Sequence, residues 1–450
     1  MKGPRRQRAP AGLSPQLASS AIELTVETLG ALGDGLAKHQ GQTVYIPFAL
    51  PGERLRVRLV GRRGDGLVAE TLATLEAASH RLAPACRHFA DLEAPCGGCT
   101  IQHVPEGEAA AFKRRTIADA LARRGLDPAV VGATQTAPLG RRRRATFAVT
   151  PTRSGLAVGF HRRNEHRVVD IAECPAVRKE LADAIEPLRR LLKSMPAAAK
   201  GGRVEALLSE TGLDLVFVFT REPGLNERRQ LGTFAERPDI ARLSWQRDER
   251  EPPEPVVVRR EPVVRFANVA VVPPPGAFLQ ASSDGEAIIV AAVRAAFAGR
   301  SGLRRIADLF AGCGTLSFPL ADDARVLAVE ENTAMNGAIA RAAGQAGLGG
   351  RVETETRDLS RRPLAGKELA TFDAVVFDPP RAGAAEQARA IAETGRPELV
   401  VAVSCNPSTF ARDARTLADG GYHLAAVTPI DQFPWTTHVE LVGVFNKTQA

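Results

Sequence analysis

Two residues near the end of this chain have the chemistry of a nucleophile and a base. Cys405 stands in Ser404-Cys405-Asn406-Pro407, between an apolar run and a helix-like stretch. A thiol beside a helix N-terminus tends to a lowered pKa, so the position predicts a thiolate nucleophile. Glu440, in His438-Val439-Glu440, lies among Val439, Leu441 and Val442. An unpaired carboxylate in apolar surroundings is costly, so it needs a partner or a task, and general-base work with a raised pKa is such a task. Asp378, in Phe377-Asp378-Pro379-Pro380-Arg381, ends another apolar run. Open α/β sheets bind ligands at that edge, and the prolines bring no N–H to compete for the carboxylate.

A glycine turn supplies the fourth element. Asp308-Leu309-Phe310-Ala311-Gly312-Cys313-Gly314-Thr315 reads as a strand, a tight turn and a helix start. Such a turn lets the backbone approach a ligand beside a helix N-terminus. The next strand ends at Glu330, a carboxylate suited to ribose hydroxyls, so the pair predicts an adenosine cofactor. No G-x-x-x-x-G-K-[ST] motif is present, which disfavours NTP hydrolysis. Cys313 fits a small residue filling the turn.

Four of the six cysteines, Cys86, Cys96, Cys99 and Cys174, lie in the first half of the chain and include one Cys-x-x-Cys pair. They suit tetrahedral zinc or an Fe–S cluster, and spacing does not choose between them. Four consecutive arginines, Arg141 to Arg144, precede a β-like stretch and suit phosphate through their forked donors. Arg62-Arg63, Arg162-Arg163 and Arg189-Arg190 extend the basic surface. Aromatic residues make up 5% of the chain, so base stacking would rest on few rings. Phe89, Phe147 and Phe160 are candidates, but the core has the first claim on each.

These residues must be positioned by 450 residues of ordinary globular composition, 44% hydrophobic and 24% charged, with a net charge of +8. No run approaches the ~18 apolar residues of a membrane span, and no apolar segment follows the basic N-terminus, so a cytoplasmic protein without membrane contact is expected. Residues 1–20 read as a basic disordered tail. Residues 21–75 give about five short strands between glycine turns, as in an OB-like barrel. Residues 76–272 hold the cysteines, a helix over Gly107–Arg124, then mostly strands, with a helical interval at Val177–Leu192 and a charged, Pro-rich loop or edge connection at Gln246–Pro262. In 273–450, helix periods alternate with apolar runs, which predicts a doubly wound parallel sheet. The expected fold class is thus α/β plus β: a barrel, a β-rich central domain and a Rossmann-like C-terminal domain.

Taken together, the segments resemble the class I, S-adenosylmethionine-dependent RNA uracil-5-methyltransferase family, in its [4Fe–4S]-bearing 23S rRNA branch. The motifs that carry the resemblance are Gly276-Ala277-Phe278-Leu279-Gln280, the 308–315 turn, Asp378-Pro379-Pro380-Arg381-Ala382-Gly383, Ser404-Cys405-Asn406-Pro407, and Asp431-Gln432-Phe433-Pro434 with His438-Val439-Glu440. The barrel, with Phe48-Ala49-Leu50-Pro51-Gly52-Glu53, looks like an RNA-binding TRAM domain. The resemblance implies that Gln280, Phe310, Thr315, Glu330, Asp358 and Asp378 line the S-adenosylmethionine site. It implies Cys405 as nucleophile, Glu440 as base, Phe278 near the target base, and Cys86, Cys96, Cys99 and Cys174 as ligands of a [4Fe–4S] cluster. It also implies that the segment from about 103 to 135 packs with the catalytic domain. The chain departs from the pattern in a longer Cys86–Cys96 gap, with an insertion around Ala90–Ala94, and in Thr315, where many members carry Asn.

The resemblance implies a monomer that acts on RNA, not DNA, with 23S rRNA as substrate and tRNA as the alternative. The typical tRNA enzyme lacks both the cysteine cluster and the barrel. A non-catalytic RNA-binding or assembly factor is the reading from another class, and the intact Cys405 and Glu440 speak against it. Radical methylation is disfavoured, because no C-x3-C-x2-C motif is present.

Overall fold

The computed structural model describes residues 21–91, 94–153, 155–163, 165–248, 250–300 and 302–448. The expected N-terminal tail, 1–20, lies outside the described residues, as does part of the insertion around Ala90–Ala94. The chain divides into two compact units: Met1–Ala90 with Cys99–Phe112 and Trp435–Thr437, and Asp91–Gly98 with Lys113–Pro434 and His438–Ala450. Among the described residues, no helix is long and apolar enough to cross a membrane.

The first unit is built on β1 (Ala21–Thr25), β2 (Thr28–Leu29), β3 (Gly35–His39), β4 (Gln42–Ile46), β5 (Arg54–Arg63) and β6 (Gly66–Glu76), in the order β1-β5-β6-β4-β3-β2. Period-2 alternation sets its faces. On β5, Leu55, Val57 and Leu59 are buried while Arg54, Arg56 and Arg58 face out. The Phe48–Glu53 segment is a pinned turn. Phe48 takes a left-handed φ of 61°, its carbonyl accepts from Arg81 at 2.6 Å, and buried Glu53 accepts from Arg81 Nε at 2.7 Å and from the Leu50 N–H at 2.8 Å.

Two larger sheets make the second unit. One joins β8 (Arg144–Thr152), β9 (Gly155–His161), β10 (Val168–Asp170), β11 (Gly202–Ser209), β12 (Gly212–Val218), β13 (Ile240–Gln246) and β14 (Glu254–Val258), in the order β10-β9-β8-β11-β12-β13-β14. Its pairs are antiparallel except β12 with β13. Phe147, Phe217 and Trp245 pack with Leu188 and Leu192 of the helix Ile185–Lys193. Phe147 is therefore core, as is Phe89 in the first unit. The Pro-rich 246–262 stretch supplies β14, an edge strand, the one place in a sheet where Pro255 removes no needed donor. A hairpin of β15 (Val264–Phe266) and β16 (Val269–Val271) follows.

The other sheet has eight strands: β7 (Gln135–Thr136), β17 (Arg305–Leu309), β18 (Arg325–Glu330), β19 (Val352–Thr356), β20 (Ala374–Phe377), β21 (Leu399–Ser404), β22 (Tyr422–Asp431) and β23 (Glu440–Lys447). Their order is β19-β18-β17-β20-β21-β23-β22-β7. Strands β17 to β21 are parallel, and β23 runs antiparallel to both β21 and β22. Every residue of β20 and β21 is buried, as expected of parallel strands covered on both faces. The helices Ser283–Phe297 and Thr333–Gln345 cover one face, and Ala385–Thr394 and Pro407–Asp419 the other. The edge strand β7 pairs in parallel with Ile430–Asp431, and Ile117, Leu121 and Val131 join the core beneath it.

One buried ion pair ties the edge of β8 to the helix Ser283–Phe297, and another braces β12 and β13 within their own sheet. Arg143, 8% exposed, donates to Glu286 Oε2 at 2.6 Å and to the Gln280 carbonyl at 3.2 Å. Arg242 binds Asp214 through two contacts of 2.9 and 2.6 Å and also reaches the Pro273 carbonyl. The arginine run thus differs from a phosphate-facing array. Arg143 and Arg144 turn inward because the 279–281 backbone needs donors, and Arg144 reaches the Leu279 carbonyl at 2.5 Å. Breaking a buried pair from one side strands a charge. Arg143→Met should cost about 3–5 kcal/mol in urea unfolding, and adding Glu286→Leu should recover most of it.

Candidate active site

Strand order reverses between β17 and β20, and a crevice at such a switch point receives ligands at the carboxyl ends of the strands. The 308–315 turn lies at one lip. Phe310 holds a left-handed φ of 60°, uncommon for a bulky residue and a mark of an over-determined site, and Gly312 follows at 58°. A side-chain carbon added at Gly312 would meet nothing within 4 Å, so the backbone there opens onto free space. Glu330 braces the turn: its carboxylate accepts from the Gly312 N–H at 3.0 Å and from the Asn332 N–H at 2.9 Å. Such a cradle beside a carboxylate fits an adenosine-bearing cofactor. Half-buried Thr315 also borders a cavity of about 970 Å³ that reaches Arg143 and Glu286. Asp358 follows β19 at the same sheet edge, where Ser360 and Arg361 of its own turn engage it.

Asp308 was prominent in the sequence motif, yet its role as a buried acid was not foreseen. It is 1% exposed and accepts from Ser317 Oγ at 2.5 Å, while its Oδ1 is buried with no hydrogen-bond partner among the described residues. Burial, aided by the charges of Asp378 and Glu330, pushes its carboxyl up to about 7.

At the other lip, the antiparallel register of β21 and β23 does the positioning. Ser404 pairs with Leu441, so continuing one step puts Cys405 across from Glu440. The Cys405 turn is clamped to the Asp378–Gly383 loop. Asn406 caps the helix Pro407–Asp419 through the Ser408 N–H, and its amide donates to the Arg381 carbonyl at 3.1 Å. Gly383 is required there: at φ 81°, a Cβ would lie 2.5 Å from Arg412 Nη2 and 2.7 Å from Asp413 Oδ2. Asp378 accepts from Gln280 Nε2 at 3.0 Å.

The electrostatics differ from the sequence expectation at Cys405. In place of a lowered value, its thiol is pushed up to about 11. Burial is the largest cause, the charges of Glu440 and Asp378 add to it, and Arg381 opposes it. The helix N-terminus is outweighed first by burial and then by the two nearby carboxylates. Burial and then Asp378 push Glu440 up to about 8, and burial pushes Asp378 up to about 7. Cys405 and Glu440 both feel the charge of Asp378, and a proton on one group stabilises charge on another.

Sequence reasoning passed over two residues here. Gln432, read only as part of a motif, donates to Gln280 Oε1 at 2.8 Å and accepts from the Ala281 N–H at 3.2 Å. Lys113, fully buried, pairs with Asp431 at 2.5 Å and donates to the Phe433 carbonyl, fixing the 431–433 loop. A lysine in a helical stretch carries no sequence signal that it will be buried. Phe278 is 63% exposed beneath the Arg144 guanidinium and borders a cavity of about 200 Å³ beside Gln280 and Gln432.

The expected four-thiol site is not shown among the described residues. Among the described residues, no group of three or more His, Cys, Asp or Glu side chains is placed to hold a metal ion. Cys86, Cys96 and Cys99 are buried and Cys174 is half-buried. The Cys86 N–H donates to Gln102, and Cys96 Sγ accepts from the Gly98 N–H at 3.4 Å. Thiol ligands on loops converge when a metal neutralises them as thiolates, since metal binding is itself a source of folding energy.

A parallel sheet with one reversed strand, a glycine turn after its first strand and a carboxylate after its second defines a class I, S-adenosylmethionine-dependent methyltransferase. Residues 303–449 match the family described as tRNA (Uracil-5-)-methyltransferase, and residues 18–60 match the TRAM domain. An RNA methyltransferase of Brucella suis is 40% identical over 429 residues, covering 95% of this chain and 99% of the relative. The 23S rRNA (uracil(1939)-C(5))-methyltransferase of Aeromonas salmonicida is 32% identical over 439 residues, covering 95% and 96%. The structure of Pyrococcus abyssi tRNA (uracil-54, C5)-methyltransferase with S-adenosyl-L-homocysteine shares the fold, at a TM-score of 0.72 and 24% identity, with 94% and 99% of the chains covered. The chain belongs to the S-adenosylmethionine-dependent RNA uracil-5-methyltransferase family, and it is an enzyme that methylates RNA.

A raised thiol pKa has a direct consequence. Alkylation of Cys405 by iodoacetamide, followed by mass spectrometry of its peptide, should be slow at neutral pH and accelerate toward pH 11. Above about pH 8, where Glu440 is ionised, Glu440→Gln removes a charge that holds the thiol protonated, so it should speed alkylation of that peptide at alkaline pH.

Proposed function

We propose that the enzyme methylates C5 of a specific uridine in 23S rRNA through a covalent bond between Cys405 and C6 of the base. The observation that carries the reading is the register that sets Cys405 opposite Glu440, with Asp378 beside both. C5 of uracil is a weak nucleophile. Attack of the Cys405 sulfur at C6 forms an S–C6 bond and moves an electron pair toward C5 and O4, so that C5 can take a methyl group. Bound S-adenosylmethionine supplies that methyl as an electrophile on sulfonium sulfur. Glu440 then takes the C5 proton, C5=C6 re-forms, and the Cys405 thiolate leaves. Before attack the thiol must give up its proton; Arg381 favours the thiolate, and the neighbouring carboxylates are the available acceptors. The base must leave its stack to reach this crevice.

Gln280, Phe310, Thr315, Glu330, Asp358 and Asp378 are the residues we assign to cofactor contact. The 23S rRNA reading draws on the likeness to the Aeromonas salmonicida enzyme and on the TRAM match. The tRNA reading draws on the shared fold of the Pyrococcus abyssi enzyme. Methyl transfer from labelled S-adenosylmethionine into unmodified 23S rRNA and unmodified tRNA, side by side, tests the choice. Label in 5-methyluridine of 23S rRNA alone is expected; label in tRNA alone would transfer the mechanism to the other substrate. Cys405→Ala should abolish transfer and keep S-adenosylmethionine binding, and substantial residual activity would refute the nucleophile.

The [4Fe–4S] proposal rests on the donor set, four thiols with one Cys-x-x-Cys pair, and we assign the cluster a structural role, since methyl transfer needs no electron. Anaerobically purified protein should carry about four iron atoms per chain and absorb in the visible. Stoichiometric zinc with no visible band would replace the cluster by a zinc site.

A further inference from the structure

Asn336, 4% exposed, lies in the first turn of the helix Thr333–Gln345. Its side-chain nitrogen serves three acceptors: the Glu330 carbonyl at 2.9 Å, the Glu355 carbonyl at 2.8 Å and Thr356 Oγ1 at 3.0 Å. A backbone carbonyl cannot donate, so the two carbonyls fix which end of the amide is nitrogen. The Oδ1 end is then buried with no hydrogen-bond partner among the described residues. An apolar side chain of similar size would avoid that cost, so the amide has a task beyond filling space.

What it holds is the end of a strand with one neighbour. β19 is the outermost strand of the eight-stranded sheet and pairs with β18 alone, and Glu330 opposite Thr356 is the last pair of that ladder. Strand ends with a ladder on one side open readily. The amide ties the last carbonyl of β18 to the Glu355 carbonyl of β19, beyond what the ladder itself supplies. Arg357 continues the tie: its N–H donates to the Glu330 carbonyl at 3.1 Å, and its guanidinium grips Glu368 through contacts of 3.0 and 2.7 Å. Asp358 is the next residue.

The tied ends therefore carry two of the residues assigned to the cofactor. Glu330 braces the glycine turn through Gly312 and also accepts from the N–H of Asn332, which caps the helix that bears Asn336. We infer that Asn336 is a positioning residue that fixes the separation of Glu330 and Asp358, and so sets the affinity for the nucleoside part of S-adenosylmethionine. This inference rests on the assignment of both acids to cofactor contact. Asn336 acts through the strand ends and is not itself a contact.

The test uses Asn336→Leu, which keeps bulk and removes the donors, and Asn336→Asp, which keeps the shape and loses the amide nitrogen. Binding of S-adenosylmethionine and of S-adenosyl-L-homocysteine is measured by calorimetry without RNA. Both affinities should fall about three- to ten-fold, and by the same factor, because the two ligands share their nucleoside. In the cofactor-free variants, the backbone amides from Thr356 to Ser360 should exchange faster with deuterium, while those of β20 and β21 hold. In methyl transfer on the transcript that takes label, KM for S-adenosylmethionine should rise with kcat little changed. Unchanged affinity in a folded variant would overturn the inference. Failure of both variants to fold would overturn it too, and would make Asn336 a residue of the fold alone. Glu330→Gln and Asp358→Asn separate the two readings. If they weaken binding of both ligands while Asn336→Leu does not, only the tie fails. If they bind both as the wild type does, the cofactor assignment falls and takes the tie with it.

Discussion

The antiparallel pairing of β23 with β21 is the constraint on which the chemistry depends. In an all-parallel sheet, neighbouring strands bring like ends to the same edge. Here the carboxyl end of β21 meets the amino end of β23, so a residue just after one strand faces the first residue of the next. Were β23 parallel, Glu440 would lie at the opposite edge, about 20 Å away for a strand of this length. The reversal also lets the 431–434 loop return over the crevice, and buried Lys113 holds that loop in place.

The same arrangement gathers acids that raise one another's pKa values. Asp308, Asp378, Glu440 and the Cys405 thiol all lie above their ordinary values, with burial as the leading cause, and nearby carboxylate charge adds to it at Asp308, Glu440 and Cys405. Arg381 favours the charged form of both Cys405 and Glu440, and Gln432, Gln280 and Asp378 form a hydrogen-bonded chain. The three carboxyls, balanced near neutrality, are suited to exchanging protons, and folding alone would not select them. The left-handed Phe310 belongs to the same pattern: local strain held in place by the cores on either side of the sheet.

Much of this was legible in the sequence because its signals were local. Apolar runs ending in Asp308, Asp378 and Cys405 marked strand ends, and alternation marked β5. What escaped was non-local. Arg143 looked like part of a basic surface, but its partner Glu286 lies far along the chain, so no window could pair them. The lowered thiol pKa expected from a helix N-terminus was reversed by burial, with two carboxylates from other strands adding to it. Gln432 carries no charge, and its importance lies in the direction of its hydrogen bonds, which sequence does not encode.

The short strand β7 imposes an order on synthesis. Gln135–Thr136 closes the edge of the eight-stranded sheet, but its partner on β22 is made about 300 residues later. Until then the apolar side chains of Ile117, Leu121 and Val131 have no sheet to cover. Pairings of such long sequence separation form late and slowly, and an open sheet edge invites association with other chains. The patch therefore stays uncovered until β22 has been made, and a gene fragment beginning at the catalytic segment would inherit a bare edge. In this scaffold the catalytic module is not a portable cassette, because its last strand was made long before its first.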